Sequence, residues 1–126
     1  MTDTEFDGRH EPTKEHVQAK MTELYMHSGT EPGLNRLALL YLRQNGRCFY
    51  CRRLMVLDDW SLKQEHRPFL ATINHYLPRL AGGVEEEGNS VAACFDCNRH
   101  KGHKLPGEFV PGIECMKVGE TLVRIT

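Results

Sequence analysis

Two C-x-x-C pairs constrain this chain more than any other feature of its sequence. The first pair, or knuckle, runs from Cys48 to Cys51, and the second runs from Cys94 to Cys97. Two such pairs are the usual way to present four thiolates tetrahedrally to one ion. We therefore predict a structural zinc bound by these four cysteines. Because structural zinc contributes about 10–16 kcal/mol in small peptides, this site would stabilise the whole segment between the knuckles.

The composition is typical of a small protein from a reducing compartment. Its 126 residues and 40% hydrophobic content predict one globular domain with a modest core. No signal-peptide pattern is visible, and no apolar run approaches the roughly 18 residues needed to span a bilayer. We expect a cytoplasmic protein without membrane contact, where paired cysteines are more often metal ligands than disulfides. The fifth cysteine, Cys115, is predicted to be a small, partly buried hydrophobe.

The net charge of -1 is unevenly distributed along the chain. Residues 1–33 hold three basic and seven acidic side chains, and residues 107–126 hold two and three. The middle segment, 34–106, holds eleven basic and seven acidic side chains, which is a net charge of +4. Because most of these basic residues lie near the knuckles, the segment favours a polyanionic partner.

Two amphipathic segments precede the first knuckle. After a polar end over Met1–Pro12, which we expect to be mobile, a helix with Thr13 as N-cap is predicted to end at Ser28-Gly29. Its apolar stripe comprises Val17, Met21, Leu24 and Tyr25. After a turn at Glu31-Pro32-Gly33, a second helix is predicted over 34–45 and is closed by Gly46. Its stripe comprises Leu34, Leu37, Ala38 and Tyr41. Burial alone explains both stripes, so we interpret these helices as packing elements.

The region between the knuckles predicts short strands. A strand over 70–73 ends at Asn74-His75, and a second lies near 90–92. The second knuckle is predicted to open a helix that continues to Lys101 and ends at Gly102. The fold class is therefore α+β, with two helices followed by a β-hairpin and a further helix. We divide the single domain into helices over 1–45, a core over 46–106, and an extension over 107–126 that adds a strand.

Between and after the knuckles the sequence carries an ordered motif. Its members are Asn74-His75, Pro78, Gly82-Gly83, Asn89 and, directly after the last cysteine, Asn98. With the knuckles, this order resembles the HNH endonucleases of the ββα-metal class, also named His-Me finger nucleases. The resemblance spans about residues 46–104, which is less than half of the chain.

The resemblance implies a site for hydrolysing phosphodiester bonds in DNA. His75 would be the general base, since a neutral imidazole can accept a proton from water. Asn89 matches the middle Asn that positions this catalytic motif. Asn74 and Asn98 match the residues that hold the catalytic divalent ion, which would be Mg²⁺, Mn²⁺ or Ni²⁺. One such site cuts one strand, so a double-strand break would need dimerisation, a second event or a partner protein.

Asn74 departs from the family pattern, which usually has Asp or His at that position. An amide oxygen is a neutral, weaker ligand for a hard cation than a carboxylate. Two hypotheses follow. Either the ion is held mainly once substrate phosphate arrives, or the domain is a catalytically weakened zinc module that binds nucleic acid or protein. A thiol redox protein is disfavoured, because two knuckles followed by Asn98 are better explained by zinc.

Basic residues near the motif are candidates for contact with the DNA backbone. These are Arg79, Arg99, His100, Lys101 and Lys104, and such contacts give affinity without sequence preference. His103 is expected to lie on the surface. Glu65-His66 is a competing acid–histidine pair, but no Gly-Gly follows it and it lies farther from the second knuckle.

Overall fold

The computed structural model describes residues 11–27, 34–57, 64–78, 82–83, 87–119 and 121–126. Several sequence-based predictions fall outside these ranges. They concern Arg79, most of the polar N-terminal end, the helix end at Ser28-Gly29 and the turn at Glu31-Pro32-Gly33.

Helix α1 spans Lys14–His27 and begins as predicted. The N–H of His16 donates to the Thr13 hydroxyl over 3.1 Å, which is the expected N-cap hydrogen bond. Three residues of the predicted stripe are buried, namely Val17, Met21 and Leu24. The fourth assignment is wrong, because Tyr25 is 60% exposed and lies at the edge of the stripe.

Helix α2 spans Arg36–Arg43 and is shorter than the predicted range. It begins two residues later because Asn35 is the N-cap, with its side chain accepting from the Ala38 N–H over 2.8 Å. Asn45, with a φ of 56°, is the left-handed residue after the C-cap Gln44, so the prediction of Gly46 for this role is wrong by one residue; Gly46 follows with a φ of 73°. A Cβ at Gly46 would lie 2.4 Å from Val17 Cγ1. This glycine therefore allows α1 to pack closely against the turn after α2.

The predicted hairpin and helix are present. Strand β1 (Ala71–His75) pairs antiparallel with β2 (Ser90–Cys94), with Ala71 opposite Cys94 and His75 opposite Ser90. Helix α3 (Phe95–Lys101) follows β2 directly, and Cys94 is its N-cap. This order confirms the predicted ββα core and the α+β class.

The hydrophobic core joins α1 and α2 to the first knuckle and the hairpin. At its centre Tyr41 is fully buried, and its hydroxyl donates to the Met55 carbonyl over 2.9 Å. Burial raises the pKa of Tyr41 to about 12. The helices before the first knuckle are thus tied to the segment that follows it.

The C-terminal extension forms more than the single strand that was predicted. After a short helix α4 (Pro106–Phe109), strands β3 (Cys115–Val118) and β4 (Thr121–Arg124) pair antiparallel in a sheet of their own. Arg124 in β4 donates to the carbonyls of Phe49 and Tyr50 over 2.9 and 2.6 Å. The extension is therefore attached to the first knuckle. Within the described part of the chain, no helix is long and apolar enough to cross a membrane.

Candidate active site

The four knuckle cysteines converge on one point. Their sulfur atoms all lie within 4.8 Å of one another, and the sulfurs of Cys51 and Cys94 are 3.9 Å apart. Tetrahedral coordination with a Zn–S distance of about 2.3 Å places sulfurs roughly 3.8 Å apart. The arrangement therefore fits a metal ion such as zinc. Cys115 is partly buried on β3, as predicted, and does not belong to this group.

Backbone N–H groups point at two of these sulfurs. Cys48 Sγ accepts from Tyr50 and Cys51 over 3.4 and 3.5 Å, and Cys94 Sγ accepts from Cys97 over 3.4 Å. Hydrogen bonds from Cys51 and Cys94 lower the pKa of the Cys48 thiol. Such donors stabilise thiolates, which are the form that binds metal.

A second site lies at the end of β1. It is a cleft of about 240 Å³ whose lining comprises Ile73, Asn74, His75, Pro78, Asn98, Gly102 and His103. The fold thus brings together three residues that the sequence assigned to one site, namely Asn74 and His75 from β1 and Asn98 from α3. His66 of the competing pair lies in a 3₁₀ turn, Gln64–Phe69, and does not line this cleft.

The two asparagines of the cleft bind each other. Asn74 Nδ2 donates to Asn98 Oδ1 over 2.9 Å, and Asn74 Oδ1 accepts from the Tyr50 hydroxyl over 2.7 Å. Asn74 is only 6% exposed, so these bonds satisfy a buried amide. Burial raises the pKa of Tyr50, which keeps its hydroxyl protonated as the donor.

Backbone carbonyls fix the direction of this network. Asn98 Nδ2 donates to the Thr72 hydroxyl over 2.9 Å and to the Ile73 carbonyl over 3.3 Å. The Thr72 hydroxyl in turn donates to the Ala93 carbonyl over 2.7 Å. Because carbonyls only accept, Asn98 must turn its amino group toward Thr72 and Ile73 and its oxygen toward the amino group of Asn74.

The amide pair fits a divalent cation only weakly. Each side-chain oxygen retains a second lone pair, and both residues line the cleft. Neither carries charge, however, and each already accepts one hydrogen bond. A hard cation would gain less from these oxygens than from carboxylates.

Lys101 lies inside the fold behind His75. Its side chain is fully buried, and Nζ lies 3.3 Å from the His75 carbonyl oxygen and 5.8 Å from the Tyr50 ring centroid. Burial lowers the pKa of Lys101. The prediction that Lys101 contacts DNA phosphate is wrong, because the ammonium group points into the core and supports the end of β1.

The turn that follows His75 is fixed from two sides. Asn89 accepts from the Leu77 N–H over 2.8 Å and donates to the Leu77 carbonyl over 2.9 Å. On the other side, a Cβ at Gly83 would lie only 1.8 Å from the Leu77 carbonyl oxygen, so only glycine fits. Asn89 does not line the cleft; it holds the backbone beyond His75.

Three of the residues predicted to contact DNA phosphates are exposed to solvent. Arg99, His100 and Lys104 are exposed on or just after α3, while Arg79 lies outside the described residues. Asp96 lies 3.7 Å from both Arg99 Nη2 and His100 Nδ1, and it therefore reduces the local positive charge. Contact of these three residues with DNA stays a prediction.

Sequence reasoning missed three residues of the site. Thr72 lies two residues before Asn74 and hence on the same face of the strand, a signal that alternation could have supplied. His103 is exposed, as predicted, and it also lines the cleft beside Gly102, a role that was not predicted. Tyr50 reaches Asn74 only through the tertiary fold, so no spacing in the sequence could have identified it.

Comparison with known proteins agrees with the motif. Residues 48–104 match the family model described as HNH endonuclease. This range contains both knuckles, β1, β2 and α3. Searches of the curated proteins and of the solved structures found no match.

Proposed function

We propose that residues 48–104, which belong to the HNH endonuclease family, hydrolyse phosphodiester bonds of DNA with His75 as general base. The family as a whole supports a nuclease-type function. The observation that carries the proposal is the cleft in which His75, Asn74 and Asn98 meet at the junction of β1 and α3. In the same proposal, the four cysteines hold zinc as a structural ion.

His75 supplies the proton chemistry. Attack on phosphorus requires a water molecule that loses a proton, and a neutral imidazole in the cleft accepts it. The carbonyl of His75 is held by Lys101, and the turn after His75 is held by the Asn89–Leu77 hydrogen bonds. A catalytic base that is fixed in this way can meet the water without further rearrangement.

Asn74 and Asn98 would hold the catalytic ion. When bound by these residues, Mg²⁺ or Mn²⁺ would supply positive charge against the charge that develops on the phosphate and the leaving oxygen. Because both ligands are neutral, we propose that the ion is retained only when a DNA phosphate contributes negative charge. Mn²⁺ should support activity better than Mg²⁺, since nitrogen and oxygen sites generally bind it more tightly and with less strict geometry.

The second candidate function is a zinc module that binds nucleic acid without cutting it. One observation favours it: the Asn74–Asn98 hydrogen bond lets the two amides satisfy each other without a metal ion. We rank it second because His75 lines the cleft and its carbonyl is held by Lys101, which supports a catalytic role.

The test is cleavage of supercoiled plasmid by the wild type and by His75→Ala. Both proteins are incubated with Mg²⁺, Mn²⁺, Ni²⁺ and Co²⁺ in turn, and zinc content is measured alongside. We expect His75→Ala to nick about 10²–10⁴ times more slowly. His66→Ala is the matched control and should retain wild-type activity.

Two outcomes would decide against the proposal. Equal rates for the wild type and His75→Ala would remove His75 as the base. An uncut plasmid with every ion, with zinc and fold intact, would favour the module that binds without cutting.

A further inference from the structure

A second cleft, distinct from the one at His75, is lined by arginines. It has a volume of about 260 Å³ and lies between the end of α2, the first knuckle and β4. Its lining includes Arg43, Arg47, Arg52 and Arg124, and no acidic side chain among the described residues. None of its lining residues also lines the cleft at His75.

The local sequence concentrates this charge. Residues 34–57 contain five arginines and neither Asp nor Glu. Desolvation and the nearby charge of Arg52 lower the pKa of Arg124, while Cys48, Tyr76 and Cys51 raise it. Four guanidinium groups thus line one cleft, and no carboxylate among its described lining residues neutralises them, so the cleft favours an anion.

Backbone contacts hold two of the four arginines in place. Arg124 donates to the Phe49 and Tyr50 carbonyls, and Arg47 Nη1 donates to the Arg52 carbonyl over 2.9 Å. Arg52 itself has a φ of 66°, a conformation that residues other than glycine rarely adopt. A long cationic side chain thus occupies a backbone position at which glycine would be unstrained.

We propose that this arginine cleft binds backbone phosphates of DNA at a point separate from the scissile phosphate. Guanidinium groups match phosphate oxygens in planar, two-point hydrogen bonds, which makes phosphate the chemically favoured ligand. Contacts of this kind position a duplex without reading its sequence. The inference rests on the proposed function, since it takes DNA as the substrate.

The test compares two variants of the full-length protein that lose equal charge. Arg43→Gln/Arg52→Gln removes two cations from the arginine cleft, and Lys14→Gln/Arg67→Gln removes two exposed cations elsewhere. Binding to a short fluorescent duplex is followed by anisotropy from 50 to 200 mM salt without added divalent ion. Thermal melts verify that both variants fold.

We expect the cleft variant to lose about two units from the slope of log affinity against log salt and to bind roughly tenfold more weakly. The control variant should stay close to wild type. Equal behaviour of the two variants would overturn the proposal. Because binding is measured without cleavage, this result is independent of the His75→Ala assay, and either proposal can fail alone.

A second experiment, with inorganic phosphate, tests whether the ligand of the arginine cleft is DNA or a free anion. We expect phosphate at matched ionic strength to shift the melting temperatures of the wild type and of the cleft variant almost equally, because a free phosphate lacks the neighbouring phosphates through which a duplex contacts several arginines at once. A shift that is lost in the cleft variant, with DNA binding unchanged, would assign the cleft to free phosphate and overturn its assignment to DNA.

Discussion

The cluster of four knuckle cysteines and the cleft at His75, which we name the asparagine cleft, are two candidate metal sites with contrasting ligands. The cluster offers four thiols within 4.8 Å, with Cys48 and Cys94 buried. The cleft offers Asn74 and Asn98, two neutral amides that are hydrogen-bonded to each other. The first can complete the coordination of an ion alone, and the second cannot. A metal that stabilises a fold needs a closed set of ligands, whereas a metal that reacts needs positions left for water and substrate.

One short helix connects the two sites. Helix α3 has Cys94 as its N-cap, and it carries Cys97, Asn98 and Lys101 within two turns. A disturbance of the cluster therefore moves Asn98 and the support for His75. We therefore predict that loss of the structural ion removes both the fold and the cleavage activity, while changes in the cleft leave the fold intact.

The largest expected effect comes from Cys94→Ser. Serine can still cap α3, so the substitution chiefly removes a thiolate ligand. Because zinc contributes about 10–16 kcal/mol in small metal-binding peptides, we expect loss of bound zinc and unfolding of the segment between the knuckles. Circular dichroism and zinc analysis measure this, with Cys115→Ser as the matched control. A folded, zinc-free Cys94→Ser protein would show that the cluster is not required for folding.

A smaller effect is expected from Asn89→Ala. The substitution removes both hydrogen bonds to Leu77, and we expect the free energy of unfolding to fall by about 2 kcal/mol. The turn after His75 should loosen, so the kcat of nicking should fall as well. Urea denaturation and plasmid cleavage test this. Asn89→Asp keeps the acceptor for the Leu77 N–H and should give an intermediate loss; unchanged stability in Asn89→Ala would contradict the account.

Lys101→Met should alter activity more than stability. The substitution removes the cost of burying an ammonium group, and this gain offsets the loss of the hydrogen bond to the His75 carbonyl. The free energy of unfolding at pH 7 should therefore change by less than about 1.5 kcal/mol. Without its donor the His75 carbonyl is released, and kcat should fall with little change in KM. Lys117→Met, on exposed β3, is the control. An unchanged kcat in Lys101→Met would remove the support role.

Lys101 also gives a pH dependence with a definite sign. Burial lowers its pKa from 10.5, so the unfolded state binds more protons between the lowered value and 10.5. This contribution to the stability of the wild type therefore rises with pH in that window. Lys101→Met should lack it, which chemical denaturation at several alkaline pH values can measure.

The sequence was sufficient for the parts of the fold that depend on local spacing. Ligand spacing, alternation and capping account for the knuckles, the hairpin and the start of α3 at Cys94. The match to the HNH endonuclease family over residues 48–104 agrees with the motif. Asn74, His75 and Asn98 were expected at one site, and they do line one cleft.

The remaining features depend on tertiary packing. Lys101 looked like a surface cation, yet its position three residues after Asn98 turns it toward β1 and the core. Arg124 reaches the first knuckle from a distant hairpin that had only a weak strand pattern. Tyr50 holds Asn74 through a contact between segments that are 24 residues apart. Such contacts have no periodicity in the sequence.

The central claim is that the asparagine cleft retains its ion only with DNA, and Asn74→Asp tests it most directly. A carboxylate at this position would face Asn98 Oδ1, and a cation could bind both of these oxygen atoms. Melting temperatures are measured with and without Mn²⁺, in the absence of DNA, for the wild type and the variant. We predict that Mn²⁺ stabilises Asn74→Asp and leaves the wild type nearly unchanged. Equal stabilisation of both proteins would contradict the claim.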